Sequence, residues 1–264
     1  MTSLLEFFDE FNKILKIPDL KPESLILYGP TSKTVLEKFT VNKVIVSTDF
    51  NYKTISAFLE ENADVILLFY PWPLKKITDD LYKKFKIIRD KKLCIIQIPK
   101  EFFSISFGIH ERIGSNLGLE KVNLFHHADY SSARIFEPLQ DNYSFLHLLE
   151  LVNERFNMNY INYVCPDKID TVIQKTLIFT ERPPKVDLFL ECFRQNIDCV
   201  LCSNIDFVSA RIAHDYKIYV CDLSFNWLNI ILEQLVTHDF KMKIRSFKTI
   251  FIPPSQPIKV YTKK

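Results

Sequence analysis

The sequence has 264 residues, of which 47% are hydrophobic and 14% aromatic, and its formal net charge is +2. This composition provides ample material for a folded core and argues against intrinsic disorder. Gly 4 is a very low count, and neither GxGxxG nor GxxxxGKS/T occurs. Because phosphate-cradling loops need glycine for close backbone approach, the sequence excludes the common nucleotide-binding loops.

The N-terminal residues and the cysteines indicate a cytoplasmic protein. Glu6 lies where a secretory signal peptide needs a basic start and an apolar segment. No apolar run approaches the roughly 20 residues that span a bilayer. The cysteines mostly lie within apolar, strand-like runs, where they behave as small buried side chains in a reducing compartment. We therefore predict a cytoplasmic protein with no membrane partner.

Apolar and amphipathic segments alternate along the first half of the chain. Helical spacing of apolar residues predicts a helix over 4–15, which Pro18 ends. Continuous apolar runs predict strands, and one-sided apolar faces predict helices between them. The predicted strands cover 25–28, 44–48, 65–69 and 94–98, and the predicted helices cover 54–62 and 78–90. This order is typical of an α/β fold with a mainly parallel sheet flanked by helices.

The second half of the sequence repeats the first. Lys175–Thr180 is similar to Lys43–Thr48, and Asn196–Cys202 is similar to Asn62–Leu68. A helix over 207–215 and a strand over 218–221 complete the repeat, which predicts two similar lobes from an internal duplication. The predicted boundaries are 1–124 for the first α/β lobe, 125–170 for a linker region with a helix, 171–240 for the second lobe, and 241–264 for a basic, extended C-terminal tail.

One stretch resembles a known family. Ala63–Lys76 predicts a buried strand that runs into a proline-containing turn and then a helix. In open α/β proteins, ligands lie beyond the carboxyl ends of such strands. Together with Leu117–Val122 and Asp198–Tyr219, this stretch is similar to the Nif-three-like family, whose members are often labelled GTP cyclohydrolase I type 2 homologues. The resemblance covers about 4–235 and implies a pair of metal ions between two lobes.

The resemblance also implies that this chain has lost the metal ligands. In the family, a His-His pair, a His and an Asp after the next strand, and a late His and Glu hold the ions. The matching residues here, which would line a degenerate former metal cleft, are Phe69, Tyr70, Pro99, Phe103, Ser224 and Leu228. They bind divalent ions poorly or not at all. The family's glycine loop corresponds to Thr180–Pro184. We therefore predict a pseudoenzyme with no metal, cofactor, catalytic residue or small-molecule substrate.

A histidine pair offers an alternative metal site. His126 and His127 lie near Asp129 in the sequence. Neighbouring side chains of an extended segment point to opposite faces, so a solvated pair is the simpler interpretation. If the family's ligands have shifted to residues such as His110, His126, His127 or Asp129, the alternative function is a dinuclear-metal-dependent hydrolase.

A CxxC pattern occurs at Cys199 and Cys202, inside a predicted strand. Positions i and i+3 of a strand face opposite sides, which favours neither metal binding nor a redox disulfide. No second CxxC completes a zinc site. We therefore expect two core cysteines.

The C-terminal segment is basic and free of acids. From Lys241 to Lys264 it contains Lys and Arg but no Asp or Glu, and its prolines favour an extended form. Such a segment can follow a phosphate backbone, and its aromatic side chains can stack on bases. The predicted RNA-binding residues are Lys241, Lys243, Arg245, Lys248, Lys259, Tyr261, Lys263 and Lys264. A frayed terminus that happens to be basic is the alternative.

These observations favour a non-enzymatic RNA-binding protein. The ribosome, with its RNA and proteins, is the most abundant such partner in a cytosol. In size, in its high Lys, Ile, Phe and Asn content and in its tail, the chain resembles the microsporidian dormancy factors, which are ribosome hibernation proteins. We expect it to occupy a tRNA or mRNA site and to suppress translation. Besides the hydrolase, a further alternative is a protein-interaction scaffold, and the family resemblance is compatible with a homo-oligomer.

Overall fold

The structure, a computed structural model, describes residues 2–17, 21–69, 78–158, 160–224, 226–241 and 246–253. The chain divides into two compact units, one made of Met1–Pro99 with Leu232–Lys264 and the other of Lys100–Ile231. The second unit is therefore inserted into the sequence of the first. Each unit has its own sheet and its own buried core.

The first unit contains a five-stranded sheet with flanking helices in its described part. The helices are α1 (Leu4–Leu15), α2 (Pro22–Leu25), α3 (Lys33–Lys38), α4 (Tyr52–Glu61) and α5 (Asp79–Ile88). The strands are β1 (Thr2–Ser3), β2 (Ile26–Tyr28), β3 (Thr40–Val41), β4 (Lys43–Ser47), β5 (Val65–Leu68), β6 (Cys94–Gln97) and β13 (Lys248–Ile252). The sheet order is β13-β4-β5-β6-β2, and only β2 runs antiparallel to its neighbour. β1 and β3 form a separate antiparallel pair.

The central strands of this sheet are continuous apolar runs because both of their faces are buried. Ile45, Ile66 and Ile95 of β4, β5 and β6 contribute to one core cluster, against which α4 and α5 pack through Phe58 and Leu81. α1 begins with a capping box in which Ser3 and Glu6 satisfy each other's backbone N–H groups. Its six buried apolar residues make it a core helix. The sequence pattern predicted these elements to within a few residues.

The second unit contains a six-stranded mixed sheet. Its helices are α6 (Ile109–Asn116), α7 (Phe145–Phe156), α8 (Val186–Arg194), α9 (Phe207–Asp215) and α10 (Asn226–Gln234), and the division between the units falls within α10. Its strands are β7 (Leu119–Leu124), β8 (Arg134–Pro138), β9 (Asn162–Val164), β10 (Thr176–Phe179), β11 (Cys199–Cys202) and β12 (Tyr219–Asp222). The order is β7-β8-β10-β11-β12-β9, in which β10, β11 and β12 are parallel and the other pairs are antiparallel.

The two units repeat one local structure. Asp64 precedes β5 and Asp198 precedes β11, and each carboxylate accepts hydrogen bonds from two backbone N–H groups at the start of the neighbouring strand, at 2.7–3.1 Å and 2.8–2.9 Å. Two residues earlier, Asn62 and Asn196 both take a left-handed conformation, with φ of 48° and 53°. Asn tolerates this region better than most residues do. The repeat seen in the sequence therefore corresponds to a repeated structure.

The sequence-based boundaries differ from the division in the structure. Residues 125–170 are not a linker, because β8 and β9 lie in this range and pair with the parallel strands β10 and β12. α6 and β7, which the prediction placed in the first lobe, belong to the second unit. Residues 248–252 are not part of an extended tail, because β13 pairs with β4. β8, β9 and β13 are only partly buried, so they lack the continuous apolar run that identifies a central strand.

Helix length also bears on membrane insertion. Within the described ranges, no helix is long and apolar enough to cross a bilayer.

Candidate functional site at the carboxyl ends of the strands

In the first unit, the carboxyl ends of the parallel strands are closed by apolar residues. Phe69 follows β5 and is 1% exposed, and its N–H donates to the Ser47 carbonyl at 3.1 Å. Beyond β6, the Ile98 N–H donates to the Leu68 carbonyl at 2.8 Å, and Pro99 is buried. Tyr70 lies outside the described residues. A buried phenylalanine and a proline offer no lone pair to a metal ion, so these positions do not suit one.

The polar residues that follow β4 bind one another. The hydroxyls of Ser47 and Thr54 lie 2.9 Å apart, and the Thr54 hydroxyl donates to the Asp49 carbonyl at 3.0 Å. The Asp49 carboxylate accepts from the Thr48 hydroxyl at 2.9 Å and from the Asn51 amide at 3.0 Å. These contacts fix the turn into α4, which Asn51 caps. The cluster therefore stabilises a helix start.

In the second unit, Phe103 and His110 form a buried pair. Phe103 ends a 3-10 helix (Lys100–Phe103), and its ring centroid lies 5.7 Å from that of His110 in an edge-on arrangement. The His110 Nδ1 lies 2.9 Å from the Ser132 carbonyl, and its Nε2 accepts from the Thr180 N–H at 3.3 Å. Burial lowers the pKa of His110 to about 3. His110 is therefore a neutral histidine whose two ring nitrogens both have protein partners, so the shifted-ligand interpretation fails for this residue.

A similar closure lies at the end of β12. Asp222 is buried, and its carboxylate accepts from the N–H groups of Asn204 and Ser224 at 2.7 Å each and of Ile205 at 3.2 Å. Ser224 has φ of 46°, and its carbonyl accepts from the indole N–H of the buried Trp227 at 3.1 Å. The same N–H also lies 2.9 Å from the Ser203 hydroxyl. The polar groups at this strand end therefore hold two loops and a tryptophan in place.

Leu228, the position matched to the family's glutamate, is 1% exposed and follows this tryptophan in α10. A buried leucine cannot replace a carboxylate as a metal ligand. Among the positions matched to the family's ligands, the structure shows four buried residues and one partly buried residue, each within its own unit: Phe69, Pro99, Phe103 and Leu228, and Ser224. Only Tyr70 has no structural description.

The segment Thr180–Pro184, which follows β10, is held by side-chain contacts. Glu181 accepts from the Ser132 hydroxyl at 2.8 Å and lies 3.6 Å from the Lys100 ammonium. Arg182 donates to the Asp129 carbonyl and lies 5.4 Å above the Tyr130 ring. These interactions restrict the conformation of this segment, whereas a glycine-rich loop would have more conformational freedom.

The two histidines of the pair contact neighbouring residues of the second unit. The His127 Nδ1 accepts from the Asp129 N–H at 3.1 Å, and its ring stacks on Phe125 and contacts Tyr130. The His126 carbonyl accepts from the Gln195 side chain at 3.3 Å. Across the described ranges, no group of three His, Cys, Asp or Glu side chains is placed to hold a metal ion.

Cys199 and Cys202 are core residues, as the sequence predicts. Both lie in β11 and are fully buried. Desolvation is the largest cause that raises the pKa of each thiol well above its ordinary value. Because the thiolate is the reactive form, burial makes both thiols poor nucleophiles near neutral pH.

The structure describes two of the predicted RNA-binding residues. Lys241 is exposed at the end of a π-helical turn (Leu235–Phe240). Lys248 begins β13, and its 62% exposed side chain lies 3.7 Å from the Glu61 carboxylate. The other six lie outside the described residues: Lys243, Arg245, Lys259, Tyr261, Lys263 and Lys264. The run of β-branched and aromatic residues at Thr249–Ile252 was the missed signal for a strand.

The comparison with known families identifies the chain. The model for Duf34/NIF3 (NGG1p interacting factor 3) matches residues 35–257. The chain belongs to this family. This confirms the Nif-three-like resemblance, and no curated protein sequence matches the chain.

Solved structures share the fold of this NIF3-family chain at low identity. Reduced HcgD from Methanocaldococcus jannaschii is 15% identical, with a TM-score of 0.77 over 95% of this chain and 97% of that one. A Bacillus cereus protein related to NIF3 is 11% identical, with a TM-score of 0.76 over 98% and 99%. Staphylococcus aureus hypothetical protein SA1388 is 12% identical, with a TM-score of 0.74 over 98% and 99%. These matches confirm the α/β fold with parallel strands flanked by helices.

Proposed function

We propose that this chain is a metal-free, non-catalytic member of the Duf34/NIF3 family that acts by binding. The observation that carries this proposal is the burial of apolar side chains at the positions matched to the family's ligands, above all Phe69, Phe103 and Leu228. Apolar side chains provide neither ligands nor acid–base groups, and they fill the space that an ion needs. The polar side chains near them are used to cap helices and to fix loops.

The proposed partner is the RNA of the ribosome. In this proposal the chain acts as a hibernation factor that binds ribosomes in dormant cells. Support comes from the segment Lys241–Lys264, which contains several basic residues and no acid. Counterion release favours binding of such a segment to phosphates. Because Lys248 lies near Glu61, we expect the other basic residues of the segment to contribute more to RNA binding than Lys248 does.

Metal analysis of the purified chain tests the first half of the proposal. We expect much less than one zinc, iron or manganese ion per chain after gel filtration. The matched variant is His126→Ala with His127→Ala, which should have the same low metal content. A stoichiometric metal in the wild-type chain would overturn the proposal, and its loss in this variant would assign the ion to the shifted ligands of the alternative.

Co-sedimentation with ribosomes tests the second half. The full chain should pellet with purified ribosomes at low salt and be released at high salt, because the contact is electrostatic. A chain that ends at Pro253, and so lacks Lys259, Tyr261, Lys263 and Lys264, should pellet weakly. The control is Lys83→Glu with Lys86→Glu on α5, which changes the net charge by −4, whereas the truncation changes it by −3. Full-length protein that stays in the supernatant at low salt would contradict ribosome binding.

A further inference from the structure

A surface pocket lies at the end of the first unit's sheet opposite to the carboxyl ends of its parallel strands. β2 runs antiparallel to β6, so the end of β2 lies beside the start of β6. The pocket has a volume of about 600 Å³ and is lined by β2, the loop that follows it, α3 and the turn between α5 and β6. Within the first unit, it therefore lies at the opposite end of the sheet from Phe69 and Pro99.

Gly29 shapes the floor of this pocket. Its φ is +125°, a conformation that L side chains rarely adopt. An added Cβ would lie 3.0 Å from both the Cys94 Cα and the Leu93 carbonyl oxygen. Glycine thus allows the loop to pass directly against the start of β6. β2 is the edge strand, and within the described residues its outer side pairs with no other strand.

The charged residues that line the pocket are Lys91 and Lys92, and both are exposed. The Lys92 ammonium lies 4.7 Å from the centroid of the Phe39 ring, a cation–π contact that positions this charge at the pocket wall. No Asp or Glu lines the pocket, and neither lysine forms an ion pair with a described residue. The nearby Asp90 carboxylate is instead 3.4 Å from the Arg89 guanidinium.

The uncharged lining complements these two cations. The exposed Thr31 provides a hydroxyl donor. Two aromatic residues, Tyr28 and Phe39, line the pocket, and the Tyr28 ring lies 5.3 Å from that of Phe85. Two cations without a carboxylate, a hydroxyl donor and an aromatic ring are the groups that bind a phosphate with an attached base.

We propose that this pocket binds the phosphate of a nucleotide or of a single-stranded nucleic acid, with Lys91, Lys92 and Thr31 as the phosphate contacts. The inference goes beyond the proposed function, because it concerns another surface. β2 and β13 are the two edges of a five-stranded sheet, so they are separated by about 19 Å at the usual spacing of strands. The pocket therefore stands as a binding site even if the C-terminal segment binds no RNA.

Binding measurements on the full chain test the proposal. The probes are adenosine monophosphate and a fluorescently labelled single-stranded RNA of ten nucleotides. We expect Lys91→Glu with Lys92→Glu to weaken binding of at least one probe by tenfold or more, and Thr31→Val by about threefold. The control Lys83→Glu with Lys86→Glu makes the same charge change on exposed residues of α5 and should change affinity less than twofold.

The two probes distinguish the source of the phosphate. Loss of both affinities in the Lys91/Lys92 variant indicates a nucleotide site, whereas loss of RNA affinity alone indicates a site for a polynucleotide backbone. NMR amide shifts provide a second measurement, and adding monophosphate or RNA should move the Gly29 and Thr31 signals. The proposal that this pocket binds phosphate would be wrong if the wild-type protein bound neither probe. It would also be wrong if the Lys91/Lys92 and Lys83/Lys86 variants lost affinity equally. Ribosome pelleting of the same variants reports separately on the proposed function.

Discussion

Individual buried polar residues in this chain stabilise its folded structure through hydrogen bonds to neighbouring elements. His110, Asp222 and Ser47 are all buried, and each hydrogen-bonds to a neighbouring element. Burying a polar group without partners costs free energy, so these partners are required for stability. Substitutions at these residues should therefore affect stability, and two predictions follow from their contacts.

The first concerns His110 and pH. Its folded pKa, about 3, lies below the ordinary value of 6.5. Between these values the unfolded chain binds a proton that the folded chain does not, so stability falls as pH decreases below 6.5. We expect His110→Gln to reduce the slope of the unfolding free energy against pH by up to about 1.4 kcal/mol per pH unit. Urea unfolding between about pH 7 and pH 5 measures it, with exposed His214→Gln as the control. Identical slopes in wild type and His110→Gln would disprove the assignment.

The second concerns Asp222, whose carboxylate accepts from three backbone N–H groups. Asp222→Asn replaces one acceptor oxygen with a donor that faces an N–H group, and it should cost about 1–3 kcal/mol of unfolding free energy. The control is Asp215→Asn, an exposed residue at the end of α9, which should change stability by less than about 0.5 kcal/mol. Chemical denaturation measures both, and equal stabilities would show that the carboxylate is dispensable.

At the residue scale, the sequence predicts burial better than it predicts contacts. Cys199 and Cys202 were correctly placed in a core strand, because an apolar run reports burial directly. The two partners of His110 were not predictable, since Ser132 and Thr180 are 22 and 70 positions away in the chain. Only the folded chain brings such groups together, and no local pattern encodes them.

At the scale of elements, β13 determines whether the first sheet is complete. It pairs with β4 over five residues, and the preceding Phe247 ring lies 5.1 Å from the Phe7 ring of α1. A chain that ends at Ser246 loses both contacts and leaves β4 as an open, apolar edge. Such edges promote association between molecules.

We therefore expect the chain that ends at Ser246 to melt at a lower temperature and to aggregate, whereas the chain that ends at Pro253 keeps its melting temperature. Pro253 is retained because its carbonyl accepts from the Lys53 ammonium at 2.9 Å. Thermal unfolding and gel filtration of the two truncated chains provide the comparison. If both chains behave like the full-length protein, β13 does not stabilise the sheet.

The elements that the sequence predicted well are those that repeat. β5 and β11 were recognised from their apolar runs, and the Asp that precedes each was seen as part of the duplication. β8, β9 and β13 were missed, because they are only partly buried and lack the fully buried apolar run of β5 and β11. Their pairing depends on distant strands, so it is visible only in the folded chain.

For the whole molecule, a salt titration separates the two proposed binding surfaces. Each phosphate contact to a single strand contributes about 0.7 to the slope of log affinity against log salt concentration. If Lys259, Lys263 and Lys264 contact RNA, removal of the residues after Pro253 should reduce the slope by about 2. Affinities for labelled RNA at several salt concentrations give this value. An unchanged slope would show that these lysines make no phosphate contacts.

At this scale, the sequence predicted the family, the α/β class and a repeated architecture, and family matching and solved structures confirm the first two. The division of the chain was not predictable, because the first unit combines its first 99 residues with a segment that begins at Leu232. Nothing near Lys248 in the sequence indicates that its partner is Lys43, about two hundred positions earlier.

The pairing of β13 with β4 also has a consequence for biosynthesis. The second unit is one continuous segment, so all of its strands have been translated before β13 emerges. β4 is translated early, but it can pair with β13 only after almost the whole chain has been synthesised. Domains generally fold as units during synthesis, so the inserted unit can fold while the unit that contains the N-terminus is still incomplete. Throughout that interval, the apolar outer edge of β4 has no strand to pair with, which favours association with other chains.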